Sequence, residues 1–393
     1  MINIRSITYN MPKKYGKSEF DTIKKCKQSF DDFKYFVRTQ RISTVPITKP
    51  FSMEYYDSLS NFCKENNIRW FNIPLDAKDN ELLEYGYKLL KKYDHVFINV
   101  DCVKNSIVNF DIINDAIKLT KKVAKISKDG KDNFRLGLSI NILNNTPFFP
   151  YAKSSGEFTF SIALELTQEI NMIIKKNKKK NIKELRDIIV DTIDKQLDEI
   201  EKYANKIEKE YNIKFVGFDF SLAPIIEENG SIISIINHLG VDDFSKSGVL
   251  FSTYYLTNIL KSFANKHKQV GFSGVMYSLL EDIELCKINN SKGVNLEDLI
   301  KLSTMCGCGI DMVPIDINTN NDYIRSAILD VVAISCRLNK PLGIRFLPVT
   351  TRKTKFKDDK DFISNTKVIN IKGNKMIRKE RSLFDFLKQK NAN

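Results

Sequence analysis

The sequence has little of what usually announces chemistry. Only three histidines, His95, His238 and His267, are dispersed along 393 residues. A three-histidine metal site would need all of them at one point, and their spacing argues against it. His95 opens a strand-like run. His238 and His267 end helix-like ones, where an imidazolium is well placed against the helix dipole, so all three read as structural. There is no Walker loop, no Gly-x-Gly-x-x-Gly opening a helix after a strand, no Gly-x-Ser-x-Gly elbow and no His-Glu-x-x-His. These absences argue against the common nucleotide, dinucleotide, esterase and metalloprotease sites. The start, Met1-Ile-Asn-Ile-Arg-Ser-Ile-Thr-Tyr, has no signal-like apolar run, and nowhere do about 18 uninterrupted apolar residues occur. The expectation is a cytoplasmic protein with no membrane partner. Cys26, Cys63, Cys102, Cys286, Cys306, Cys308 and Cys336 are odd in number and scattered, which points to free thiols in a reducing compartment.

What is present is ordinary globular composition, 42% hydrophobic and 28% charged, with 62 Lys/Arg against 48 Asp/Glu and a net charge of +14. A basic excess permits a nucleic-acid partner. It is unevenly spread: from Arg352 to Asn393 there are 13 basic and five acidic residues, which is +8, leaving +6 for the rest. That segment reads as a mobile or surface-wrapping basic C-terminal extension, residues 352–393. The lysine run 175–180 leads into a long helix, Ile182 to Tyr211, with Leu185, Ile188, Ile189, Ile193, Leu197, Ile200 and Ile207 as its buried stripe; its charges read as a solvated face.

Before residue 352, short β-rich runs alternate with amphipathic stretches. Strands are expected at Asn3–Tyr9, Thr39–Ile47, Arg69–Ile73, Val96–Asp101, Arg135–Ile142, Phe158–Leu164, Lys214–Phe220, Gln269–Phe272, Gly309–Ile315 and Leu342–Val349. Helices are expected at Met53–Asn66, Ile107–Ile126, Val249–Phe263, Leu296–Thr304 and Tyr323–Leu338. The alternation predicts a mainly parallel sheet covered by helices, and about ten strands in one series fit a single closed α/β barrel, residues 1–351. No Gly/Ser-rich or Pro-rich linker divides it.

Three local features carry candidate chemistry. In Cys306-Gly-Cys-Gly-Ile-Asp311-Met-Val-Pro314, glycines flank Cys308 directly after a helix, so Cys306 or its neighbour is either a nucleophile in a tight turn or a small buried thiol. The single intervening residue is too short for Cys-x-x-Cys redox or zinc spacing. Phe215-Val-Gly-Phe-Asp219-Phe-Ser221-Leu-Ala-Pro224 sets an acid and a hydroxyl at the carboxyl end of a strand, fit for catalysis, cation binding or a turn cap. Asp219 and Asp311, if their loops converge, form a carboxylate pair for proton transfer or Mg²⁺. Finally, Arg5, Arg41 and Arg345 lie inside apolar β runs, where each guanidinium needs a carboxylate, a carbonyl or a bound anion. They either line one pocket for a carboxylate or phosphate, or form internal salt bridges with Asp219, Asp311 or Glu165.

Asn3-Ile-Arg-Ser-Ile-Thr, Arg41-Ile-Ser-Thr, Asn145-Thr-Pro-Phe-Phe-Pro150, Gly217-Phe-Asp-Phe-Ser-Leu-Ala-Pro224, Val270-Gly-Phe-Ser-Gly-Val-Met276 with Leu280-Glu-Asp282, the Cys306 string, and Arg337-Leu-Asn-Lys-Pro-Leu-Gly-Ile-Arg-Phe-Leu-Pro-Val349 occur in this order, followed by Ser364-Asn-Thr-Lys-Val368. With these strings the chain resembles, over nearly its whole length, the domain-of-unknown-function family 711, especially its archaeal branch. The resemblance implies the ten-stranded α/β barrel of pyruvate formate-lyase and glycyl-radical enzymes, with Cys306, Asp311, Asp219 and Ser221 at matching positions of a central cavity. It implies no activity, since none is established for the family. This chain departs from the family's pattern at Ile315-Asp-Ile-Asn318, where a carboxylate becomes Asn318, at Tyr151-Ala-Lys-Ser-Ser155, where a histidine is lost, and at Ser245-Lys-Ser-Gly248, a reduced glycine segment. The Arg-Val-x-Gly-Tyr string of true glycyl-radical enzymes is missing, so no glycyl radical is expected.

The leading expectation is therefore a small-molecule enzyme with Cys306, Asp219 and Asp311 as catalytic residues and Arg5, Arg41, Ser221 and Arg345 as binders of an anionic metabolite, with Mg²⁺ the cofactor to test and a homo-oligomer allowed. The alternatives are a non-catalytic ligand-binding or scaffold protein on the same barrel, and a nucleic-acid-associated protein acting through its tail.

Overall fold

The computed structural model describes residues 1–47, 52–76, 80–104, 106–356 and 363–374. In chain order the first half comprises β1 (Asn3–Asn10), α1 (Lys17–Asp31), β2 (Gln40–Ser43), α2 (Met53–Glu65), β3 (Trp70–Leu75), α3 (Asn80–Lys92), β4 (Val96–Lys104), β5 (Ile107–Val108), α4 (Phe110–Val123) and β6 (Leu136–Ile140). The second comprises β7 (Thr159–Glu165), α5 (Leu166–Lys176), α6 (Ile182–Tyr211), β8 (Lys214–Asp219), α7 (Ile232–His238), α8 (Val249–Ser262), α9 (Ile283–Ser291), α10 (Leu296–Leu302), β9 (Gly309–Asp316), α11 (Asn321–Leu338) and β10 (Leu342–Val349). No helix of the described residues is long and apolar enough to cross a membrane.

The strands form one ten-stranded sheet in the order β8-β7-β1-β2-β3-β4-β6-β10-β9, with β5 folded back on β4. β1, β2, β3, β4 and β6 are mutually parallel. β7 with β8, and β9 with β10, run the other way, so β1–β7 and β6–β10 are antiparallel seams. The ladder of regular strands is open, because β8 and β9 are its edges and do not pair with each other.

Between those edges runs the segment 268–279. It makes parallel bridges Phe218↔Gln269 and Leu222↔Val275 on the β8 side and Ser278↔Asp311 on the β9 side. The regular strand expected at Gln269–Phe272 is not formed. Gly271 (φ 68°) and Ser273 (φ 46°) adopt left-handed backbone, which breaks the extended repeat and leaves isolated bridges.

Alternation along the strands separates two buried faces. Ile7, Tyr9, Phe71, Ile73, Ile98, Val100, Leu136 and Leu138 belong to the large apolar core shared with the helices, whereas Ser6, Thr8, Asn10, Ser43, Asn72, Asn99 and Ser139 are buried and polar. The segment 145–155, between β6 and β7, fills this polar face. Thr8 Oγ1 donates to Pro147 O (3.3 Å), Asn72 and Asn99 both donate to Ala152 O, and Lys153 Nζ meets Asp101 Oδ2 at 3.1 Å. Gly137 and Gly343 make room for Tyr151: a Cβ at Gly343 would lie 2.3 Å from Tyr151 Cζ.

The expected boundary at residue 351 falls where the chain leaves β10. Residues 363–374 return to the body rather than departing from it, with Ser364 N donating to Leu280 O (2.7 Å) and Ile369 N to Pro314 O (2.8 Å). Most of the basic extension lies outside the described residues.

Candidate functional site

Where segment 145–155 meets the sheet, a cavity of about 30 Å³ is lined by Arg5 from β1, Arg41 from β2, Arg345 from β10, Asp311 from β9, Glu281 from the turn before α9, and Cys308, with Trp70, Phe134, Phe149 and Tyr151 among its aromatic walls. That is room for about two waters. The three strand arginines, widely separated in sequence, thus share one space.

Arg345 and Asp311 form a two-bond fork, Nε to Oδ1 and Nη2 to Oδ2, both 2.8 Å, and Arg345 Nη1 donates to Phe134 O at 3.1 Å. Burial by itself would lower the Arg345 pKa, but the Asp311 and Glu281 carboxylates outweigh it and raise it. Glu281 stands between two guanidinium groups, Oε1 3.6 Å from Arg345 Nη2 and Oε2 3.7 Å from Arg5 Nη2. Burial pushes the Glu281 carboxyl above its ordinary range, against the pull of Arg345 and with the repulsion of Asp311. Arg5 also donates from Nη1 to Pro224 O at 3.2 Å.

Arg41 is different. Its guanidinium lies between the Trp70 ring (4.8 Å to the centroid) and the Phe149 ring (5.2 Å), and Nε donates to Thr39 Oγ1 at 2.9 Å. Among the described residues no carboxylate lies within 4.0 Å of it. Burial, and then repulsion from Arg5 and Arg69, hold its pKa well below the usual arginine value. Three guanidinium groups face two carboxylates, so the cavity carries +1, or +2 with Glu281 protonated. An anion is the charge complement.

The other expected residues lie elsewhere. Asp219 does not line the cavity. Its Oδ1 accepts from Ser221 N (2.9 Å), Ser221 Oγ (2.5 Å) and Ser273 N (3.0 Å), and its Oδ2 from Phe272 N (2.8 Å). Ser221 Oγ also accepts from Gly274 N at 3.3 Å. Both residues therefore fasten segment 268–279 to β8. Burial raises the Asp219 pKa even against these donors. Asp219 and Asp311 share no cavity: Asp219 accepts from N–H and O–H donors, and Asp311, on the cavity wall, accepts from Arg345 and Tyr151. Among the described residues no group of three or more His, Cys, Asp or Glu that could hold a metal ion occurs.

Cys308, not Cys306, reaches the arginine cavity. Cys306 lines a separate cleft on the helix side. Glu165 serves neither Arg5 nor Arg345; it binds Arg38. Each histidine has a partner away from the cavity: His95 with Ser60 Oγ (3.2 Å), His238 with Asn171 Oδ1 (2.9 Å) and His267 with Glu201 Oε2 (2.6 Å). Sequence reasoning missed the roles of Glu281, Tyr151 and Cys308. A signal existed for Glu281, an acid directly after the apolar run of segment 268–280, but none for Tyr151, whose loop enters the sheet's polar face only in three dimensions.

Comparison with known proteins agrees with the order of motifs. The profile described as "Uncharacterised ACR (DUF711)" matches residues 3–355. The chain is similar to a UPF0210 protein of Sulfurisphaera tokodaii, 26% identical over 337 residues that cover 80% of this chain and 75% of that one. It is also similar to a UPF0210 protein of Halothermothrix orenii, 25% identical over 282 residues (67% and 61% of the two chains). A third is UPF0210 protein CLL_A1718 of Clostridium botulinum, 27% identical over 267 residues (64% and 57%). The matched stretch thus spans less than two thirds of the length of the last two relatives.

Proposed function

The chain belongs to the family described as Uncharacterised ACR (DUF711), and from that footing we propose that it is a cytosolic enzyme of small-molecule metabolism whose substrate is a small carboxylate held in the arginine cavity. The architecture we infer is an α/β barrel of the pyruvate formate-lyase kind. In its support, two parallel groups of strands meet at antiparallel seams, and segment 268–279 bonds to both sheet edges. Counted as a strand, that segment would complete a ring of ten.

The observation that carries the function is Arg41, a buried guanidinium on an aromatic platform with no carboxylate within 4.0 Å of it among the described residues. Such a charge is costly unless an anion completes it. Arg41 and Arg5 would take the carboxylate, as planar fork donors suited to it. The Arg345–Asp311 fork holds the opposite wall rigid, and Tyr151 OH, 3.4 Å from Asp311 Oδ1, leans on the same carboxylate. Glu281, with its raised pKa, is the group that would hold a proton for transfer to or from the bound substrate. No radical step is invoked.

The cavity's volume selects the smallest anions unless its aromatic walls move. Calorimetry with formate, acetate, bicarbonate and phosphate tests this: saturable binding of at least one planar carboxylate or bicarbonate, lost in Arg41→Met, is expected. No binding by any of them to the folded protein would overturn it.

A further inference from the structure

On the other side of the Cys306–Cys308 turn lies a second cavity, of about 440 Å³, which the arginine site does not use. Cys306 and Gly307 form part of its floor, with Lys261 and Lys340 on its walls and no acidic residue among the described residues that line it. Its rim is apolar: Leu143, Tyr254 and Leu338 line it and are about half exposed. Half-exposed large apolar residues around a cationic cleft suit an amphipathic anion.

The turn itself is built around sulfur. The Cys308 side chain and the backbone N–H groups of Cys308 and Gly309 lie beside Cys306 Sγ, and the Cys308 thiol donates to Gly309 O at 3.8 Å. Those donors, with the nearby Lys340, hold the Cys306 pKa below its ordinary value although burial opposes them, while the same contact holds the Cys308 thiol protonated. Lys340 Nζ donates to Ser303 O (2.9 Å), Thr304 O (3.3 Å) and Cys306 O, which fixes the turn. Gly307 N donates to Val275 O (2.6 Å), and a Cβ on Gly307 would fall 2.8 Å from Gly274 Cα, so the loop carrying both cysteines is pressed against segment 268–279.

We propose that Cys306 and Cys308 are a dithiol redox site that reduces a small anionic disulfide entering through the lysine-lined cleft. The Cys306 thiolate attacks one sulfur of that disulfide; its S–S bond breaks and one thiolate leaves. Cys308 then gives its proton to the departing thiolate, and its sulfur attacks Cys306 Sγ, releasing the second thiolate and closing a Cys306–Cys308 disulfide. The protein dithiol loses two electrons and the small disulfide gains them, ending as one thiol, which carries the Cys308 proton, and one thiolate, which takes its proton from water. The sequence spacing, one residue short of the familiar Cys-x-x-Cys, hid this pairing. The proposal is independent of anion binding by Arg41.

The test is to incubate the reduced full-length protein with oxidised glutathione and follow intact mass and peptide maps. A loss of two hydrogens mapped to a Cys306–Cys308 link is expected. Cys308→Ser should stop at a glutathione adduct on Cys306, and Cys306→Ser should form neither product. A link mapped to other cysteines, no link while the half-buried Cys336 becomes glutathionylated, or a Cys306→Ser variant that reacts like the parent would each overturn it. The peptide map of the unmutated protein decides the matter even where a variant fails to fold. Calorimetry on the reduced protein reads the arginine cavity separately.

Discussion

Arg345 and Asp311, on adjacent parallel strands, hold each other through two 2.8 Å hydrogen bonds in a space with almost no solvent. Removing one partner leaves the other charge buried and uncompensated, at a cost of about 3–5 kcal/mol. Asp311→Asn and Arg345→Met should each lower the urea midpoint strongly. The double variant should be less damaged than the sum of the singles, so a double-mutant cycle in urea checks the coupling. Additive losses would mean the fork contributes nothing as a pair.

Arg41 predicts the opposite sign. Among the described residues no carboxylate pairs with its charge, so Arg41→Met replaces a desolvated cation by an apolar side chain between Trp70 and Phe149. The variant should melt at the same temperature or higher than the parent without ligand, yet lose the stabilisation that added acetate or bicarbonate gives the parent. Differential scanning calorimetry with and without the anion reads both effects. A lower melting temperature with unchanged anion response would contradict the assignment.

The pH dependence of binding follows from Glu281. Its pKa is raised by burial, so on raising pH it ionises above the ordinary carboxylate range of about 4.3. While protonated it leaves the cavity at +2; once ionised, at +1. Affinity for an anion should therefore fall as pH rises through the Glu281 titration, and binding below that point should be accompanied by no proton release. Glu281→Gln should abolish the slope. Calorimetric Kd values for formate across pH 5.5 to 9 measure it, formate itself remaining ionised throughout.

Much of this architecture was legible because strand and helix periods are local. The ends of α6 and α11 and the course of β1, β9 and β10 follow from alternation and caps visible in the chain, such as Asn181 before Ile182 and Asn339 after Leu338. The convergence of Arg5, Arg41 and Arg345 was legible as a question, since a cation in an apolar strand demands a partner. The answer was not, because Glu281 and Asp311 reach the same cavity only through the strand order. Segment 268–279 was misjudged for a definite reason: its apolar residues imitate a strand, while Gly271 and Ser273 turn the backbone left-handed. In the Gly217–Pro224 string, Asp219 accepts from three backbone N–H groups and the Ser221 hydroxyl.

That commitment yields the sharpest separation between a catalytic and a fastening carboxylate. Four donors converge on Asp219, and Gly271 packs so closely that a Cβ there would lie 2.0 Å from Oδ2. Asp219→Ala orphans all four donors inside the protein and should cost at least about 3 kcal/mol. Asp219→Asn keeps an oxygen for the three donors on Oδ1 and sets an amide against Phe272 N–H alone, so it should cost less. Because the damage is to the attachment of segment 268–279 to β8, hydrogen exchange should accelerate at Phe272, Ser273 and Gly274 in both variants while the Arg345–Asp311 strands stay protected. The fraction that remains folded should still bind the anion. Loss of anion binding in a fully folded Asp219→Asn protein, with exchange unchanged at Phe272 and Ser273, would instead return Asp219 to the reacting centre.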